Sequence, residues 1–162
     1  MPPHLRPLHS TITLATAEKI IDAALAARRK EGLMPLVVAV LDSGGNLIAC
    51  KREDGSGLMR FDIAFGKAWG SLGMGMSTRL IRDRLAQRPA FQGALASVSG
   101  GRFIPVPGGV LILDAAGTAI GAVGISGDAS DKDEYCAIVG IGAAGLASEP
   151  GEPNPEWRAA GL

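Results

Sequence analysis

The sequence carries almost no net field and few of the groups that metal binding or nucleophilic catalysis recruits. Sixteen basic and sixteen acidic side chains cancel over 162 residues, so no global charge draws the chain to nucleic acid or to an anionic membrane. Four Phe, two Trp and one Tyr are a thin supply for base-stacking platforms. The two cysteines, Cys50 and Cys136, lie far apart and outside any C-x-x-C. No structural zinc is expected from them, and a reducing, cytoplasmic setting is. The two histidines, His4 and His9, stand near the start without H-x-x-x-H spacing, so no Ser-His-Asp or Cys-His constellation can be built. No uncharged stretch approaches the roughly 20 residues that span a bilayer, and "MPPHLRPLHS" has no apolar h-region. Neither membrane insertion nor secretion is expected.

What is abundant is glycine, 23 residues of it, which points to tight turns and close backbone packing. The length fits one domain with a real core. Residues 1–12 read as an N-terminal arm, 13–148 as the domain, and 149–162 as a proline-rich tail. Thr13 can cap a helix from Leu14 to Glu31 with Gly32 as its stop. Its apolar residues Ala17, Ile20, Ile21, Ala24 and Leu25 fall on one stripe. "LVVAVLD" and "LIACKRE" flank Ser43-Gly44-Gly45-Asn46 and form a hairpin. Helical spacing follows in "RFDIAFGKAWGSLGMG" and "STRLIRDRLAQR", with a shorter helix or turn in "AFQGALASV". "FIPV" is a candidate short edge strand, since Pro105 and Pro107 cannot donate to a ladder. Val110–Asp114 and Thr118–Ser126 make a second hairpin. Asp131 is placed to cap the last helix with Glu134 completing a capping box. The order argues for an α+β fold, an antiparallel sheet of about five strands with helices on its faces.

That last helix contains Gly140-Ile141-Gly142-Ala143-Ala144-Gly145, a literal G-x-G-x-x-G. A dinucleotide site needs a preceding strand, a following helix and an acid about 20 residues on. "LASEPGEPNPEWRAAGL" supplies no second strand and no such acid. Neither NAD nor FAD is expected; the small residues suit close approach to another backbone.

"VVAVLDSGGNLIACKREDG", "DIAFGKAWGSLGM" and "GGVLILDAAGTAIGAVGISGDASDKDEYCA" resemble the GlcG/HbpS-like family. Its members include haem-binding proteins and the C-terminal domain of PduO-type corrinoid adenosyltransferases. The resemblance spans about residues 13–147 and rests on order and spacing: D-x-x-G, R-x-D-G, a helix-borne lysine, and G-A-x-G-x-S-G followed by D-E. It implies a profilin-like α/β/α sandwich that assembles into homo-oligomers, dimer-based, tetrameric or octameric. It implies activity less narrowly, because members bind haem, take part in its breakdown, or sense redox state.

Each polar residue of interest has a structural and a functional reading. Asp42 either bonds its own turn amides or lies at a pocket mouth. Arg52 and Asp54 either clamp the hairpin end or bind a carboxylate or propionate. Lys67 matches the family's lysine and lies between Ala64 and Ala68 on an apolar helix face. It is either a snorkelling surface lysine or a pocket cation, able to act as a base if its pKa falls. Asp133 and Glu134 either favour the helix dipole or face a pocket. Gly100, Gly101, Gly108 and Gly109 could let a ligand approach the main chain. Haem iron needs an axial His, Met, Cys or Tyr. The family's histidine ligand comes from the N-terminal region, which His9 roughly matches. Two functions are therefore expected in competition. One is a homo-oligomeric small-molecule-binding protein with haem or a related tetrapyrrole as ligand. The other is a cofactor-independent enzyme of lyase, isomerase or hydrolase type. Its substrate would be a small carboxylate-bearing metabolite, with Arg52 holding the carboxylate, Lys67 as acid or base and Asp42 or Asp133 orienting it. In either case the Arg52 corner, Lys67 and the Ser126-Gly127-Asp128 turn are expected to converge.

Overall fold

The computed structural model describes every residue except Met1 and Pro3, so those two positions of the expected arm lie outside the described residues. Helix α1 runs Leu14–Glu31, with the Thr13 side chain accepting from the Thr16 amide and Gly32 closing it at φ 66°. Strands β1 (Val37–Asp42) and β2 (Leu47–Arg52) form the first hairpin. Helices α2 (Arg60–Met74), α3 (Thr78–Leu85) and α4 (Pro89–Val98) follow. The second hairpin is β3 (Gly109–Leu113) with β4 (Ala119–Ser126), then α5 (Ser130–Ala143) and β5 (Ala147–Glu149). The sheet order is β2-β1-β4-β3-β5, antiparallel throughout. The fold is thus α+β, with a five-stranded antiparallel sheet between helical layers.

The period-2 alternation of the strands divides the core. Val38, Val40, Val110, Ile112, Val123 and Ile125 face α1 and α5. Val37, Ala39, Leu41, Leu111 and Ala122 face α2. Contact on the α2 side is unusually close because Gly109 and Gly124 carry no side chain. A Cβ on Gly124 would run into the Ala64 carbonyl, and one on Gly109 into the Lys67 carbonyl. Gly140 plays the same part between α5 and α1, where a Cβ would crowd the Ile20 carbonyl.

Four expectations need correcting. Residues 103–106 form no strand; the edge position beside β3 is taken by β5, which supplies the donors that Pro105 and Pro107 cannot. No capping box forms at α5, whose N-cap is Ala129 with no side-chain bond. The reason is that Asp131 accepts from Asn154 while Glu134 turns inward to Arg79. Of the small residues in the α5 sequence, Gly140 alone meets a neighbouring backbone; Gly142 is open, and Gly145 turns the chain at φ 77°. The proline-rich stretch is packed, with Trp157 buried and stacked on Tyr135 at 3.8 Å between ring centroids. Among the described residues no helix is long and apolar enough to cross a membrane.

Candidate functional site

Lys67 sits where α2 touches the sheet, so its stem starts in the core. It runs past Gly108, whose φ of 114° and missing side chain leave the path open. Its Nζ ends 2.8 Å from Asp133 Oδ2 on α5, and the two side chains are 2% and 1% exposed. The other Asp133 oxygen accepts from the Asp128 amide at 3.1 Å. Burial pushes the Asp133 carboxyl up, opposed by the Lys67 ammonium, the Asp128 amide and the more distant Arg60. The Lys67 carbonyl accepts from Ser71 Oγ, and Thr78 Oγ1 bonds both the amide and carbonyl of Gly109. Lys67, Asp133, Gly108 and Gly109 therefore form one closed polar joint between α2, β3 and α5.

Glu134, the next residue, is also fully buried but far less satisfied. Its Oε1 lies 3.3 Å from Arg79 on α3, and neither carboxylate oxygen has a hydrogen bond. Burial pushes its pKa from 4.5 to about 7; Arg79 and Arg82 pull it down, Asp131 and Glu149 push it up. Glu149 in β5 is itself occupied, accepting from the amide and hydroxyl of Ser77 at the start of α3.

The first hairpin's polar residues lie elsewhere. Asp42 Oδ1 accepts from the amides of Gly44 and Asn46, the turn-closing role, and Asp114 does the same for Ala116 and Thr118. Arg52 and Asp54 are exposed and line a shallow concavity of about 370 Å³ with Arg28, Pro35 and Glu53. Glu53 is the anchored member, accepting from the Leu36 amide and pairing with Arg28 and Arg29. Arg52 and Lys67 are not brought together. At the Ser126 turn the neighbouring cation is Arg60, 3.3 Å from Ser126 Oγ.

The open volume of the α2 face is at its other end. Trp69, Gly70, Gly73 and Met74 of α2 meet Leu95, Val98 and Phe103 around a mainly apolar cleft of about 140 Å³. A second cleft of about 170 Å³, against the Ser43–Gly45 turn, shares Trp69 and Gly73 with it. The Arg102 guanidinium lies 4.4 Å over the Trp69 ring. His9 is exposed on the arm, two positions from Thr11, whose hydroxyl accepts from the Ser43 amide at 3.0 Å. Gly100 and Gly101 turn at positive φ with nothing against them.

Residues 12–142 match the family described as haem-degrading protein, HbpS-like. The chain belongs to the HbpS-like family. It is 32% identical over 128 residues to an uncharacterized 15.0 kDa protein encoded in the dhaT-dhaS intergenic region of Citrobacter freundii, covering 79% of this chain and 88% of that one. It superposes on a PduOC:heme complex with a TM-score of 0.75 at 24% identity, covering 85% of this chain and 98% of the other. A double mutant of HbpS from Streptomyces reticuli gives 0.70 at 29% identity, covering 88% and 92%.

In this HbpS-like chain the stretches carrying the resemblance hold the joint and the turns. The apolar cleft has no signature in the sequence. Trp69 stood in plain view on α2, but Phe103, Leu95 and Arg102 arrive from segments whose spacing carries no period. Among the described residues no group of three or more His, Cys, Asp or Glu is arranged to hold a metal ion.

Proposed function

We propose that this HbpS-like protein binds a small molecule, haem or a related tetrapyrrole, at the Trp69 cleft. The observation that carries the reading is the mainly apolar cleft, lined by Trp69, Met74, Leu95, Val98 and Phe103, with Arg102 at its edge. A tetrapyrrole asks for an apolar face, a cation for its propionates and, for the iron, one axial donor. Trp69 and Phe103 would hold the face, Arg102 a propionate, and His9 the iron. Bound haem would supply redox and ligand-exchange chemistry at the iron; the chain's own part is to hold it and limit water on one side. The family's description as haem-degrading and the haem complex of the PduOC relative point the same way.

Each cleft is well below the roughly 300–1,000 Å³ of a typical ligand site. One chain therefore clasps an edge, and a second copy completes the enclosure. Helix α4 supports this, since it is apolar yet buries none of its residues, and Val98, which lines the cleft, is exposed. The two free cysteines, one fully buried, suit the cytoplasm. The enzymatic alternative needs Lys67 and Arg52 to share one substrate. Lys67 is closed on Asp133 while Arg52 is on the surface, so binding is the better-supported reading.

Haem titration followed by absorbance, with light scattering for assembly, tests it. We expect a saturable Soret change, weakened in Trp69→Ala, shifted in position in His9→Ala and unchanged in His4→Ala. Absence of saturation, or Trp69 and His9 variants that behave as the parent, overturns it. A monomer at micromolar concentration overturns the two-copy enclosure.

A further inference from the structure

On the far side of α4 lies a separate cleft of about 230 Å³, built differently from the one at Trp69. Its floor is Met76, Ile81 and Leu85, its wall Phe91, and its rim carries Arg84 and Arg88. The Arg84 side chain makes no ion pair or hydrogen bond with any described residue. Arg88 stacks over the Phe91 ring at 4.6 Å and has no carboxylate partner. The adjacent acid, Asp83, is held by Arg82 at 2.8 Å. Two guanidinium groups thus stand without counter-charge over apolar surface in a chain of zero net charge.

We propose that this cleft binds an amphipathic monocarboxylate, a short acyl chain ending in a carboxylate. Guanidinium matches a carboxylate in a paired hydrogen-bond geometry that an ammonium does not offer. The floor takes the tail, and the flexible methionine side chain adapts to its shape. Only Met74 lines both this cleft and the one at Trp69, so the two are separate sites.

Calorimetric titration of the full chain with sodium octanoate, hexanoate and butanoate, beside octylammonium and octanol, is the test. Each methylene should tighten binding about fourfold until the floor is covered, so octanoate should exceed hexanoate about fifteenfold while octylammonium does not bind. Arg84→Gln/Arg88→Gln should keep the parent's melting temperature and lose at least tenfold in octanoate affinity. Arg84→Gln alone serves if the double variant melts early. Trp69→Ala should bind octanoate like the parent. The proposal is overturned by any of four results: no saturable heat at millimolar octanoate, equal binding of octanol or octylammonium, arginine variants that keep their affinity, or loss of binding in Trp69→Ala. Haem binding is read separately, so either site can fail without the other.

Discussion

Lys67→Met keeps most of the side chain's volume and removes only the charge, which isolates what the ion pair does. In the parent the Asp133 carboxylate is 1% exposed and holds two partners, Lys67 at 2.8 Å and the Asp128 amide. Removing one member of a buried pair costs about 3–5 kcal/mol, because the remaining charge stays desolvated. Against a total of about 5–15 kcal/mol for a domain, that is a large share. At about 2–4 °C per kcal/mol for a chain of this size, the melting temperature should fall by about 6–20 °C. The loss should also depend on pH. Without Lys67 the folded Asp133 pKa rises further above its unfolded value. Between those two values the folded state then binds more protons than the unfolded one, and the variant's stability falls as pH rises. The gap to the parent should therefore be widest near neutrality and narrow towards pH 4 to 5. Urea melts at pH 7 and pH 5 measure it, and Lys67→Met/Asp133→Leu should recover most of the loss. A Lys67→Met cost below about 1 kcal/mol, or a double variant no better than the single, would refute the closed joint.

Gly124→Ala should cost at least the roughly 1–3 kcal/mol of an overpacked core, since its methyl meets the Ala64 carbonyl and a backbone cannot step aside; thermal melting measures this. Glu134→Gln should be more stable than the parent at pH 7 and above. The raised folded pKa of about 7 means that the parent loses stability as pH rises from 4.5 to about 7. The difference should vanish below pH 4.5 in paired denaturant melts. Trp157→Ala should cost about 3–5 kcal/mol in the same assay, as for other large aromatics removed from a buried site.

Local rules made much of this fold legible. Thr13 and Gly32 bound α1 because cap chemistry is decided within a turn. Both hairpins announce themselves by a glycine-bearing turn between β-branched runs. What was not legible depends on partners distant in sequence. The three residues of β5 carry no period of their own and become a strand only through β3. Asp131 and Glu134 have capping-box spacing, yet Arg79, on another helix, outcompetes the local bond for Glu134. Lys67 could be placed on an apolar face but not at an end point, because Asp133 lies 66 positions away. For the same reason the clefts flanking α4 are not legible in the sequence: each is walled by several segments.

The glycines of α2 separate packing from function. Glycine inside a helix costs about 0.8–1.0 kcal/mol relative to alanine, so each one asks for a reason. Gly66 has one: a Cβ there would collide with Ile104 and the Arg102 carbonyl. Gly73 has none of that kind. The nearest atom to its would-be Cβ is on the Trp69 ring at 3.8 Å, an ordinary contact, and the position lines both clefts that meet at Trp69. A methyl there would relieve the helix penalty while occupying the space assigned to the ligand. Gly73→Ala should therefore raise stability by about 0.4–1 kcal/mol and weaken haem binding, two effects of opposite sign from one substitution. A general loosening of the fold would lower both together. If Gly73→Ala melts higher and takes up haem as the parent does, the ligand does not sit at Trp69, and the glycine's cost has no explanation in this cleft.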